Sequence, residues 1–123
     1  DNLIHLIRAG VTERYLQAVL ECEMLKAGSE GKSFDTIVAS GERGAYPHGT
    51  ATDKVIEEGD LITFDFGAIY KGYHSDITRT VAVGNICSRQ RLLYDKVFGC
   101  SEHVECLLNA GLRAGEDDTA NRE

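Results

Sequence analysis

The stretch Leu61-Ile62-Thr63-Phe64-Asp65-Phe66-Gly67-Ala68-Ile69-Tyr70-Lys71-Gly72-Tyr73-His74-Ser75-Asp76-Ile77-Thr78-Arg79-Thr80-Val81-Ala82-Val83-Gly84 decides the fold. Strand-forming residues flank Lys71-Gly72 on both sides, and Gly72 supplies a turn, so residues 61–84 read as an antiparallel hairpin. A two-residue loop at 71–72 sets Tyr70 opposite Tyr73, Asp65 opposite Thr78 and Gly67 opposite Asp76. Asp65 and Asp76, at the centre of the two strands, then share one sheet face with Thr63, Thr78 and Thr80. They are diagonal neighbours with Cα atoms roughly 7 to 8 Å apart. The opposite face carries Ile62, Phe64, Phe66, Ala68, Ile77 and Val81, interrupted by Ser75 and Arg79, and reads as core.

Two ionised carboxylates at that spacing repel unless a proton, a cation or basic side chains compensate. A shared divalent metal, or an adjacent pair, is one solution. Solvation on a half-exposed sheet, or pairing with Arg79 and Lys71, is the other, and the spacing alone leaves both open.

Asp65-Phe66-Gly67, Tyr70, Gly72-Tyr73 and Ser75-Asp76-Ile77-Thr78-Arg79-Thr80 together resemble the first metal-ligand hairpin of the Xaa-Pro dipeptidase (prolidase) and aminopeptidase P metallopeptidase family. The likeness extends upstream through Ser33-Phe34-Asp35-Thr36-Ile37-Val38-Ala39-Ser40-Gly41, Pro47-His48-Gly49 and Glu58-Gly59-Asp60. It implies the α+β "pita-bread" fold shared with methionine aminopeptidase and creatinase, an antiparallel sheet covered by helices.

The resemblance further implies that Asp65 and Asp76 are the first two of five metal ligands, one typically bidentate and the other bridging. It places His48 at an active-site position that contacts substrate; on residue type alone, His48 reads as a loop imidazole bonded to backbone. Thr78, opposite Asp65, could donate its hydroxyl to a ligand carboxylate and orient it. The implied cofactors are two divalent ions, for which oxygen ligands with one imidazole suit Mn²⁺ or Co²⁺ at least as well as Zn²⁺. The implied chemistry is metal-assisted hydrolysis of a proline-containing peptide. A homodimer of the complete protein completes the family expectation, and a cytoplasmic location is expected from cysteines read as reduced thiols.

The other three ligands of the family, a His and two Glu, lie downstream of positions that this 123-residue chain contains. Arg-Ala-Gly at 8–10 returns at 113–115, each time after an apolar stretch and before a candidate helix cap, Thr12 or Asp117/Asp118. The pita-bread fold has two related halves. Residues 1–123 are therefore expected to be a partial catalytic domain: the first half, the linking helix of the second, and the cap of the helix after it. The start at Asp1 rather than Met fits a processed product or a fragment.

Composition sets limits on the alternatives. With 42% hydrophobic residues the chain can bury one modest core. Thirteen basic against twenty acidic residues give a net charge of −7 without a basic stripe, which disfavours nucleic acid as a partner. No apolar run approaches the ~20 residues of a membrane span.

The four cysteines, Cys22, Cys87, Cys100 and Cys106, form no Cys-x-x-Cys pair and are read as reduced thiols. Cys100, His103 and Cys106 sweep around a predicted helix rather than converging, which disfavours zinc. Cys100 is expected in the core, on a buried stripe with Leu93, Val97, Val104 and Leu107.

The remaining elements are an apolar helical fragment over 2–9, a helix over 12–27 capped by Thr12 and closed by Gly28, and a buried strand over 34–39. Tyr15 stands where family members often carry the acidic residue of a capping box. A loop over 41–52 swings His48 over the sheet, residues 57–60 turn into the hairpin, and Ser88 caps a second long helix to about residue 109. Three functions are consistent with this reading: a metal-dependent Xaa-Pro peptidase, a creatinase-like hydrolase that works without metal, and a catalytically inactive pita-bread binding module. Intact Asp65 and Asp76 favour the first.

Overall fold

The hairpin turns at Lys71-Gly72, where φ is positive at both residues (50° and 78°), the signature of a type I′ turn that matches strand twist. The computed structural model describes residues 3–107, and the chain divides between Ile86 and Cys87 into two units.

In the first unit the hairpin is bent into two antiparallel sheets. Numbered in chain order, the strands are β1 (Gly31–Lys32), β2 (Ile37–Ser40), β3 (Leu61–Phe66), β4 (Ala68–Tyr70), β5 (Tyr73–His74) and β6 (Ile77–Ala82). One sheet has the order β1-β4-β5 and the other β2-β3-β6. The register is continuous across the bend: Phe66 pairs with Ile77, Asp65 with Thr78, Ile69 with His74 and Tyr70 with Tyr73. The expected pairing of Asp65 with Thr78 and of Tyr70 with Tyr73 is therefore found. Asp76, expected in mid-strand, lies instead in the gap between β5 and β6, across from Gly67.

The bend has a local cause. Ser75 N–H donates to Ala68 O at 3.0 Å, but the return bond from Ala68 N–H goes to the Ser75 hydroxyl at 3.0 Å, so a side chain replaces a rung of the ladder. Gly67 is buried against this point, and a Cβ there would overlap the Ser75 carbonyl oxygen. Gly67→Ala is expected to cost about 1–3 kcal/mol in chemical denaturation through this overlap.

Helix α1 (Glu13–Lys26) begins where Thr12 Oγ1 accepts from Tyr15 N–H at 3.1 Å. It ends in a Schellman arrangement: Gly28, at φ +99°, donates to Leu25 O, and Ser29 N–H donates to Met24 O. Thr12→Ala should lower stability by about 1 kcal/mol, read as a shifted urea midpoint at constant slope. Leu16 and Leu20, one turn apart, face the β2-β3-β6 sheet and join Val38, Ile56, Ile62, Phe64 and Val83 in the core. Leu3, Leu6, Ile7, Val11, Ala51, Phe66 and Val81 pack around this cluster.

Several expectations are corrected here. The opening helix over 2–9 reduces, among the described residues, to a single 3-10 turn, Ile4–Leu6. The strand expected over 34–39 begins only at Ile37, because Ser33 is still tied to the other sheet, its N–H donating to Gly67 O and its hydroxyl to Ala68 O. The chain crosses between sheets over 33–36. Ile77, assigned to the core face, is 38% exposed.

In the second unit α2 runs from Ser88 to Leu107. Ser88 is its first helical residue rather than its cap. Cys87 holds the cap position: its carbonyl accepts from Arg91 N–H at 3.0 Å, and the Gln90 side chain reaches back to Cys87 N–H at 2.8 Å. The buried stripe is corrected too. Val104 is buried, but Leu93, Val97 and Cys100 are exposed, because α2 is the only regular element among the described residues of its unit. Tyr94 and Phe98 stack at 6.0 Å between ring centroids. All four cysteines are free. The second Arg-Ala-Gly and its candidate caps lie outside the described residues.

Candidate active site

Asp65 stands near the C-terminal end of β3, on the face turned away from the buried side chains of Ile62 and Phe64. Across the ladder, Thr78 Oγ1 donates to Asp65 Oδ1 at 3.0 Å, the contact anticipated from the register. Arg79 and Lys71, the alternative partners for the two carboxylates, engage elsewhere: Arg79 Nη1 donates to Thr78 O, and Lys71 Nζ lies 5.3 Å from the Tyr70 ring centroid. Asp76 reaches the same region from the bend.

The third component comes from residues 41–52. Part of this segment is a 3-10 helix, Gly41–Ala45, which sequence reading treated as loop. Beyond it, Gly49 N–H donates to Tyr46 O and Thr50 N–H to His48 O, and Thr50 forms an isolated antiparallel bridge with Ile37 on the free side of β2. That bridge holds the exposed His48 imidazole beside the sheet.

Phe34, Asp35, Ile37, His48, Thr50, Asp65 and Asp76 line one open cleft of about 390 Å³. Asp65 and Asp76 from the hairpin and His48 from a separate stretch of sequence thus line the same cleft. Thr78 touches the group through Asp65. Phe34, Asp35, Ile37 and Thr50 were not singled out as cleft residues; only their nearness to the motif segments could have suggested them. The donor set suits a hard divalent cation in kind, with carboxylate oxygens and an imidazole nearby. It is incomplete in number: among the described residues no three His, Cys, Asp or Glu side chains are placed to hold an ion together.

A second polar assembly was missed from the sequence. Glu13, the first residue of α1, is 0% exposed. Its Oε1 accepts from Ser40 N–H at 2.8 Å and Ser40 Oγ at 2.9 Å. Its Oε2 accepts from Thr52 Oγ1 at 2.8 Å, Thr52 N–H at 3.0 Å and Arg43 Nε at 3.1 Å. Burial pushes this carboxyl up, but the hydrogen bonds from Thr52 and Ser40 outweigh it and hold Glu13 below its ordinary value of 4.5. Lys54 Nζ extends the assembly to Ser40 Oγ at 3.0 Å and Asp60 Oδ2 at 2.7 Å.

The model of metallopeptidase family M24 matches residues 1–123. The chain belongs to this family. It is 44% identical to an Xaa-Pro dipeptidase of Pyrococcus furiosus over 98% of its own length and 34% of that protein's. Among solved M24-like structures, an Xaa-Pro dipeptidase from Bacillus anthracis superposes with a TM-score of 0.95 at 46% identity, covering 98% of this chain and 34% of that one. An X-Pro aminopeptidase from Thermotoga maritima gives 0.94 at 44% identity, with 98% and 34% covered. The α+β pita-bread assignment agrees with these neighbours. The chain spans about a third of the length of the curated M24 relatives it matches. No helix among its described residues is long and apolar enough to cross a membrane.

Proposed function

We propose that residues 1–123 form the opening part of the catalytic domain of a metal-dependent exopeptidase that hydrolyses Xaa-Pro bonds, as a proline dipeptidase or an Xaa-Pro aminopeptidase. The cleft shared by Asp65, Asp76 and His48 carries this reading, and the names of the relatives supply the substrate class. The rest of the family's ligand set, a His and two Glu, would come from residues outside this chain. The complete protein is read as a cytoplasmic homodimer using Mn²⁺ or Co²⁺, with Zn²⁺ the alternative.

Asp65 and Asp76 would hold the ions, which when bound supply Lewis acidity and an activated water. The Thr78 hydroxyl fixes which lone pairs Asp65 offers, by occupying part of Oδ1. His48, exposed at the cleft edge, presents an imidazole that can donate a hydrogen bond to the substrate carbonyl, since an Xaa-Pro amide has no N–H of its own to offer. Phe34 and Ile37 give the cleft an apolar wall against which a proline ring loses little solvation.

Purified full-length protein is expected to contain divalent metal, to cleave Xaa-Pro peptides, and to lose cleavage on chelation with recovery on metal return. Absence of both metal and cleavage would leave the binding-module reading. Turnover of a guanidinium substrate that survives alanine at both Asp65 and Asp76 would establish the creatinase-like one. The 123-residue chain alone should bind Mn²⁺ weakly in calorimetry and cleave no Xaa-Pro peptide, because two carboxylates and water do not complete the coordination sphere. Cleavage by this chain that Asp76→Ala abolishes would overturn that expectation.

A further inference from the structure

Residues 41–52 bring His48 to the cleft without a strand of their own. Within the segment the backbone bonds are short-range: Tyr46 N–H to Arg43 O, Gly49 N–H to Tyr46 O and Thr50 N–H to His48 O. Its bonds to α1 are one backbone bond, Arg14 N–H to Thr52 O at 3.1 Å, and those made by the Glu13 side chain. The Glu13 carboxylate accepts from Ser40 just before the segment, from Arg43 inside it and from Thr52 at its end. Arg43 then spans the segment, its Nη2 donating to Thr50 O at 2.7 Å.

We propose that Glu13 is the positioning residue for His48: its buried carboxylate clamps both ends of segment 41–52 and, through Arg43, fixes Thr50 two residues from the imidazole. The proposal rests on the reading that His48 serves the cleft.

The chemistry demands a carboxylate. Five donor groups converge on two oxygens, and each oxygen accepts more than one bond. Glutamine keeps one acceptor but turns an NH₂ donor toward other donors, and leaving buried N–H groups unpaired is costly. Position supports the same assignment, because the first turn of α1 favours negative charge and the helix gives the carboxylate a rigid base. Lys54, held between Ser40 and Asp60, balances the charge on the far side of Ser40. Segment 41–52 should therefore loosen well before the β3-β6 ladder when the carboxylate is lost.

Amide hydrogen exchange by NMR on the 123-residue chain tests this. In Glu13→Gln, exchange at Gly49, Thr50 and Thr52 is expected to quicken by about tenfold or more, while amides of β3 and β6 change far less and the His48 ring resonances narrow as the segment loosens. Arg43→Gln should quicken Gly49 and Thr50 and spare Thr52, whose bonds to Glu13 remain. Equal quickening across segment and sheet, or unchanged rates at 49–52 in folded variants, would overturn the proposal. If Glu13→Gln does not fold, Arg43→Gln decides by the same comparison. Failure of the peptidase reading is a separate result: turnover of the full-length protein untouched by His48→Ala, with the exchange pattern intact.

Discussion

Full-length protein carrying Asp76→Ala is expected to lose Xaa-Pro cleavage by about a thousandfold or more, together with bound metal, while its fold stays intact. The size follows from the role: a carboxylate that holds a Lewis-acid ion supports several kcal/mol of charge stabilisation, and each 1.36 kcal/mol is about tenfold in rate. Stability should be nearly unaffected, because Asp76 is exposed and lies outside the strands. Asp65→Ala should match it in activity and also take the Asp65 Oδ1 acceptor from the Thr78 hydroxyl. Thr78→Val is the graded comparison. It preserves the carboxylate and removes its orientation, so metal affinity should fall by about 10- to 100-fold. Metal content by elemental analysis, read beside turnover and circular dichroism, checks all three; full activity without bound metal in either Asp variant would contradict the proposed function.

Glu13→Ala should be among the most destabilising single changes in the chain, at about 3–5 kcal/mol, because it strips the acceptors from a buried network and leaves Arg43 uncompensated. On the order of a 10 °C or larger fall in melting temperature is expected. The effect carries a pH signature. Glu13 is held below its ordinary value of 4.5 in the folded chain, so its contribution is fully present above that value and is lost as pH falls through the folded-state value. Melting temperatures of the native chain should therefore drop on acidification below about pH 4.5, and the Glu13→Gln variant should drop less over the same window. Parallel acid profiles for the two proteins would remove Glu13 from the explanation.

The hairpin register, the turn at Lys71-Gly72, the pairing of Asp65 with Thr78 and the limits of α1 were legible because each depends on local rules: two-residue turns, period-two alternation, and caps at Thr12 and Gly28. The bend at Gly67 was not. It arises when the Ser75 hydroxyl takes over a ladder bond, and nothing in a Gly or a Ser says which backbone group it will meet. The Glu13 assembly was hidden for a related reason. An acidic residue one position after a helix cap reads as a surface charge complementing the helix dipole, and only long-range folding brings Ser40, Arg43 and Thr52 to it. The α2 stripe shows the opposite error, since helical periodicity marks a face able to be buried without saying what is available to cover it.

The bend between the two sheets separates what governs each carboxylate. Asp65 is fixed by six residues of paired strand, so its place is secured many times over and is insensitive to any one of them. Asp76 hangs from a joint made by Gly67 and Ser75, where one added methyl or one lost hydroxyl changes the angle. The gap between the carboxylates is thus adjustable at a single point, and two silent-looking small residues, rather than the acidic pair itself, set how far apart they stand.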